Sequence, residues 1–258
     1  MSSHSLALVA PAGDAGSPVH ELDPRAKIVG LVAIVLIAVT TPLSAWPVYV
    51  ACLALLAAVA MVGRVPPAEA WRRLRFLLPV VLLAAVFLPF ARPGGVAHAV
   101  GPLNVHQAGL ETAAAAVAKA TIGTLAAVML AATTGFPQVL RGLEAMRAPR
   151  LLVTIAAFMY RYLFVIAEEL GRMRAALVSR GYDPRNALHA AALGRVATAS
   201  FLRTHARGER VYRAMLARGY AGSMPRGRPL ALGWADAAFV VLVLAALVPL
   251  RVAAGVAG

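Results

Sequence analysis

Charge is scarce in this sequence. Asp, Glu, Lys and Arg make up 14% of its 258 residues, where soluble domains carry about 25%, while 60% are apolar and the mean hydropathy is +0.75. That balance excludes an ordinary water-soluble fold: the apolar excess needs lipid as its solvent and predicts a membrane protein. Cysteine is nearly missing as well, and Cys52 alone permits neither an internal disulfide nor a thiolate metal cluster. The six histidines (His4, His20, His98, His106, His189, His205) are scattered, with no pair spaced to put two imidazoles on one helix face. His98 and His106 share a loop read as solvated. There is no GxxxxGK[ST] phosphate loop and no cluster resembling a Ser/His/Asp triad, so the chain is not an ATPase, and no catalytic residue, metal ligand or cofactor site is nominated.

What is present is long uncharged runs. Between Lys27 and Arg64 lie 36 residues without a charge, roughly 54 Å of helix at about 1.5 Å per residue, nearly twice a hydrocarbon core. Thr41-Pro42 and Trp46-Pro47 interrupt helix near its middle, which predicts two spans joined by a short turn. The third run, Phe76 to Ala91, carries Pro79 and Pro89 and reads as short and kinked. The fourth, Ala113 to Thr134, contains Lys119, and the fifth, Leu230 to Leu250, contains only Asp236. Lys119 could snorkel or meet Asp236; a packing role is preferred. The first 27 residues hold His, Asp and Pro rather than a compact basic start, so the first helix is expected to stay uncleaved.

Residues 151 to 167 are broken by Arg161 into uncharged pieces too short to span, and are read as lying outside the bilayer. Charge supports this. With the N-terminus inside and five spans, 22 of 25 cations fall on the cytoplasmic face, leaving Arg92 and Arg251 outside and Lys119 in the membrane. The organisation expected is an all-α polytopic membrane protein with about five transmembrane helices. Its parts are a cytoplasmic tail (1–27), a four-helix transmembrane region (28–134), a cytoplasmic amphipathic domain (135–229) inserted before the last span, and that span with a short outer tail (230–258).

Residues 135 to 229 hold 16 arginines against 5 acids, yet their apolar positions recur at helical spacing, as in Leu163, Ile166, Leu170, Met173 and Leu177. Amphipathic helices under the membrane fit that pattern. A seven-residue pattern occurs twice, 38 residues apart: Ala176-Leu177-Val178-Ser179-Arg180-Gly181-Tyr182 and Ala214-Met215-Leu216-Ala217-Arg218-Gly219-Tyr220. Each copy reads as a helix C-terminus, with Gly at the left-handed cap and Arg complementing the negative helix end. Two good caps would explain either copy alone. Two together present a matched pair of cations suited to two equivalent acidic pockets on a dimeric partner. Glu168 and Arg172 form an i, i+4 couple near Arg161, assigned to scaffolding; Asp23 and Arg25 cap and orient the first helix.

At these residues the sequence resembles the transmembrane T component of energy-coupling-factor (ECF) transporters, ABC-type importers of vitamins and transition-metal ions. That family carries paired Ala-Arg-Gly motifs at the ends of cytoplasmic coupling helices. Here the second is intact as Ala217-Arg218-Gly219 and the first is Ser179-Arg180-Gly181. Leu22-Asp23-Pro24-Arg25-Ala26-Lys27 looks like the family's N-terminal motif. Thr133-Thr134-Gly135-Phe136-Pro137 through Arg147-Ala148-Pro149, then Tyr160 to Phe164, look like its coupling-domain entry, and Glu209-Arg210-Val211-Tyr212 resembles the cobalt-type, CbiQ-like branch.

The resemblance implies a non-catalytic permease subunit in the plasma membrane that joins a substrate-binding membrane subunit to two cytoplasmic ATPase subunits. It implies that Arg180 and Arg218 each enter one ATPase, with Gly181 and Gly219 permitting the sharp helix ends, and that ATP and Mg belong to those partners. Asp23, Pro24, Arg25, Arg161 and Glu168 would be structural support. Nickel or a vitamin is the nearest alternative cargo. An intramembrane enzyme using Lys119, Asp236 or the histidines, or a nucleic-acid anchor resting on basic charge alone, would be a different class; no nucleic-acid partner is expected.

Overall fold

The computed structural model describes residues 17–42, 45–91, 97–100, 103–182, 190–222 and 231–256. Apart from one hairpin, their regular structure is helical: α1 (Pro18–Glu21), α2 (Pro24–Thr40), α3 (Trp46–Val62), α4 (Pro67–Ala91), α5 (Gln107–Thr133), α6 (Phe136–Ala145), α7 (Arg150–Ser179), α8 (Ala190–Ala217) and α9 (Trp234–Val256). The hairpin pairs β1 (Ala97–Val100) with β2 (Leu103–His106) antiparallel, in the segment read as a solvated loop.

Proline sets several boundaries. Asp23 is the N-cap of α2, its side chain accepting from the Arg25 N–H at 2.8 Å, and Pro24 occupies the first helical position, where no N–H is missed. Thr41 is extended (φ −71°, ψ 134°), as a residue before proline must be. Trp46 and Pro47 then open α3. The third run is longer than expected: it is the second part of the 25-residue α4, which begins at Pro67 and passes through Pro79. Arg72, Arg73 and Arg75 end an apolar run without ending a helix, so the sequence reading set its start too late.

The chain divides into two compact units, residues 6–145 with 230–258, and residues 146–229. In the first, α2 packs against α3, α5, α6 and α9, α3 also against α5 and α9, and α4 against α5. Ile34, Cys52, Ile122, Val243 and Leu247 are fully buried where these helices meet. Val29, Val32, Leu36 and Val39 on the opposite face of α2 are exposed and no less apolar. A helix apolar all round belongs in lipid. Association between such helices rests on close packing, for which small residues serve. Gly30 shows this: a Cβ there would lie 2.5 Å from Phe239 Cε1, so α2 and α9 meet at hydrogen. Likewise α6 reaches α2 at Gly142, where a Cβ would be 3.2 Å from Ile28 Cδ1 and from Pro24 Cβ.

The second unit contains α7 and α8, which touch one another. Three stretches among the described residues are long and apolar enough to cross a membrane: Gly109–Thr133, Arg150–Ser179 and Trp234–Gly255; Trp46–Val62 is a shorter apolar helix. The 30-residue α7 thus removes one ground for placing 151–167 outside the bilayer. Arg161 interrupts the uncharged sequence but not the helix, so length does not exclude a crossing there. The distribution of arginines is the ground that remains.

Candidate functional site

The two Arg-Gly segments form the same structure. At the end of α7, Tyr182 N–H donates to Leu177 O (3.1 Å) and Gly181 N–H to Val178 O (3.0 Å). At the end of α8, Tyr220 N–H donates to Met215 O and Gly219 N–H to Leu216 O, both at 3.0 Å. This is the Schellman pattern, which satisfies carbonyls that the last turn would otherwise orphan. It needs a left-handed residue after the cap, and Gly181 (φ 77°) and Gly219 (φ 81°) supply it. Arg180 and Arg218 are the cap residues themselves. Both are exposed, and among the described residues neither guanidinium has an ion-pair or hydrogen-bond partner. Ser179, where the pattern has Ala, returns its hydroxyl to Ala175 O at 3.1 Å. The departure from Ala therefore adds a hydroxyl whose donor is engaged within its own helix.

Behind these ends, Glu169 of α7 is buried and accepts from two arginines of α8, Arg203 Nη1 at 3.3 Å and Arg207 Nη2 at 3.2 Å. Sequence reasoning missed it and chose its neighbour. Glu168 does bond Arg172 at 2.6 Å, yet that pair is exposed and stays within one helix. Exposed pairs of this kind contribute under about 1 kcal/mol. Arg161 is exposed.

In the other unit, Asp23, Pro24 and Arg25 stand beside a buried polar node. Asp236 Oδ1 accepts the Asp23 N–H at 2.6 Å, and its Oδ2 accepts the Gly233 N–H at 2.7 Å, one half of a capping box at the start of α9. Lys27, only 2% exposed, donates from Nζ to His20 O (3.1 Å) and Thr133 O (3.2 Å). A buried ammonium with two carbonyls for partners and the Asp23 and Asp236 carboxylates nearby is a satisfied structural charge.

Lys119 does not meet Asp236. Its Nζ donates to Val39 O at 2.8 Å, and Arg251 Nη2 donates to Thr40 O at 2.8 Å. Both cations cap the carbonyl end of α2, while Asp236 lies at its amino end, roughly 24 Å away along the axis. The enzyme alternative needed polar residues among Lys119, Asp236 and the histidines to converge at one depth, and the fold separates Lys119 from Asp236.

His98 registers opposite Val105 and His106 opposite Ala97, so the two are not a cross-strand pair. His205 stands 3.6 Å from Glu209 on the exposed side of α8. His4 and His189, Arg92, and the tail through residue 16 lie outside the described residues. Among the described residues no three His, Cys, Asp or Glu side chains gather as metal ligands would.

Residues 15–229, which hold both arginine caps, Asp23, Lys27 and helices α2 to α8, match the family model of CbiQ, cobalt transport protein. The chain belongs to the CbiQ family of cobalt transport proteins. A relative in Methanocorpusculum labreanum, provisionally named fused cobalt transport protein CbiMQ, is 26% identical over 222 residues, 81% of this chain and 36% of its own length. The CbiQ-family chain thus spans about a third of that fused relative. Its apolar helices and its family together mark it as a membrane protein of a transport system.

Proposed function

We propose that this CbiQ-family chain is the energy-coupling transmembrane subunit of an ECF-type importer for cobalt ions. It converts the motion of two cytoplasmic ATPase subunits into motion of a substrate-binding membrane subunit. The N-terminus and residues 135–229 face the cytoplasm, where most arginines then lie. ATP and Mg are bound by the ATPases and cobalt is cargo. The observation carrying this reading is the identity of the two helix ends: the same Schellman turn presents an exposed arginine twice. Identical prongs suit a partner with two equal sockets, and each charge-assisted hydrogen bond in such a socket is worth about 1.5–3 kcal/mol.

Charge reversal tests it. Arg180→Glu with Arg218→Glu should leave membrane expression unchanged, since both side chains are exposed, while abolishing ATPase co-purification and ATP-dependent uptake. Normal uptake by the double variant would refute the mechanism. Labelled cobalt uptake with nickel as competitor identifies the cargo.

A further inference from the structure

Between the end of α7 and the start of α8 lies an open cleft of about 680 Å³ with arginines around an apolar floor. Arg172, Arg180, Arg195 and Arg203 line it, and among the described residues no acidic side chain does. Two of these cations are already engaged, Arg172 by Glu168 and Arg203 by Glu169. Arg180 and Arg195 are exposed, and among the described residues they have no ion-pair partner. The floor comes from Leu177, Val196 and neighbouring aliphatic side chains of both helices. Surplus positive charge above apolar surface calls for a ligand with an anionic head and an apolar tail. An arginine pair offers bidentate donors to phosphate oxygens, and the volume falls in the range of small-molecule sites.

We propose that this cleft binds one anionic phospholipid, its phosphate held by Arg180 and Arg195 and the first part of its acyl chain on Leu177 and Val196. Membrane residence of the chain puts that lipid at hand, and basic pockets on the cytoplasmic side of membrane helices bind acidic lipid headgroups. The inference goes beyond the proposed coupling role and stands without it, because Arg195 is no part of the paired helix ends. Shared use of Arg180 means that bound lipid and a docked ATPase would compete for one guanidinium.

The full chain, purified in mild detergent, is titrated with short-chain phosphatidylglycerol and with short-chain phosphatidylcholine, and bound lipid is read by native mass spectrometry. Phosphatidylglycerol should bind at least about tenfold more tightly, the effect of one or two charge-assisted contacts. Arg195→Glu should remove that preference, whereas Arg210→Glu, on the same helix outside the cleft, should keep it. Val196→Asp, which spares every arginine, should weaken both lipids. Helical content measured on each variant identifies any that misfold, and the proposal is then read from the others. Equal binding of the two lipids, or equal behaviour of the two arginine variants, would overturn the site. Displacement by millimolar inorganic phosphate would overturn the lipid assignment, leaving a plain anion site.

Discussion

Glu169 of α7 bonds Arg207 of α8, and the two are 38 residues apart, the same separation as Arg180 and Arg218. The helices therefore touch at equivalent points of their repeat. Each arginine cap lies eleven residues beyond its own contact point, about 16 Å at helical rise. Equal arms from a shared pivot give the two caps equal reach, which the sequence pattern alone did not establish.

Removing the pivot should loosen α7 from α8 without touching either cap. Glu169→Gln is expected to cost about 1–2 kcal/mol, since it leaves Arg203 and Arg207 without their carboxylate while both retain access to water. Limited proteolysis of the purified chain should show faster cleavage within residues 180–195. A cycle of Glu169→Ala and Arg207→Ala should give a coupling near 1 kcal/mol, and strictly additive effects would mean the contact holds nothing.

Glycine at the caps can be tested against the serine departure. Gly219→Val forces a branched side chain to a φ of 81°, which costs roughly 1–3 kcal/mol locally and redirects the chain after Arg218. Gly219→Asn should be milder, because Asn tolerates the left-handed region. ATPase capture should fall in the order glycine, asparagine, valine. Ser179→Ala should match the parent within about 0.5 kcal/mol and in capture, as its hydroxyl bonds only its own helix.

The largest stability loss is expected at Asp236. Asp236→Ala strands the buried Asp23 N–H and removes a carboxylate beside the buried Lys27, a change on the order of 2–4 kcal/mol. Asp236→Asn, which keeps an acceptor, should lose less. Lys119→Met, at an exposed hydrogen bond, should be nearly neutral. Thermal unfolding in detergent ranks the three, and a larger loss at Lys119 than at Asp236 would contradict the buried node.

Local signals carried most of what was legible. The proline pairs at 42 and 47 marked the break between α2 and α3, Asp23-Pro24 marked a helix start, and the repeated Arg-Gly pairs marked helix ends with left-handed glycines. These depend on backbone chemistry within a few residues. What escaped depends on separation. Nothing near Glu169 distinguishes it from Glu168 until α8 arrives, and about 100° of helical phase decides which is buried. The start of α4 escaped because charge was read as a boundary. Asp236 was noticed for its apolar surroundings, while the visible clue to its role was Gly233 three residues earlier, the spacing of a capping box.

The bond from Asp23 to Asp236 also orders events during biosynthesis. A ribosome that has delivered Asp23 must add more than two hundred further residues before that residue meets Asp236. Through that interval the Asp23 amide lacks its Asp236 acceptor, although the Lys27 ammonium already has its carbonyl partners at His20 and Thr133. Nascent chains stopped short of Trp234 should accordingly be prime substrates for membrane quality-control proteases, and release of α9 is the step that ends their exposure.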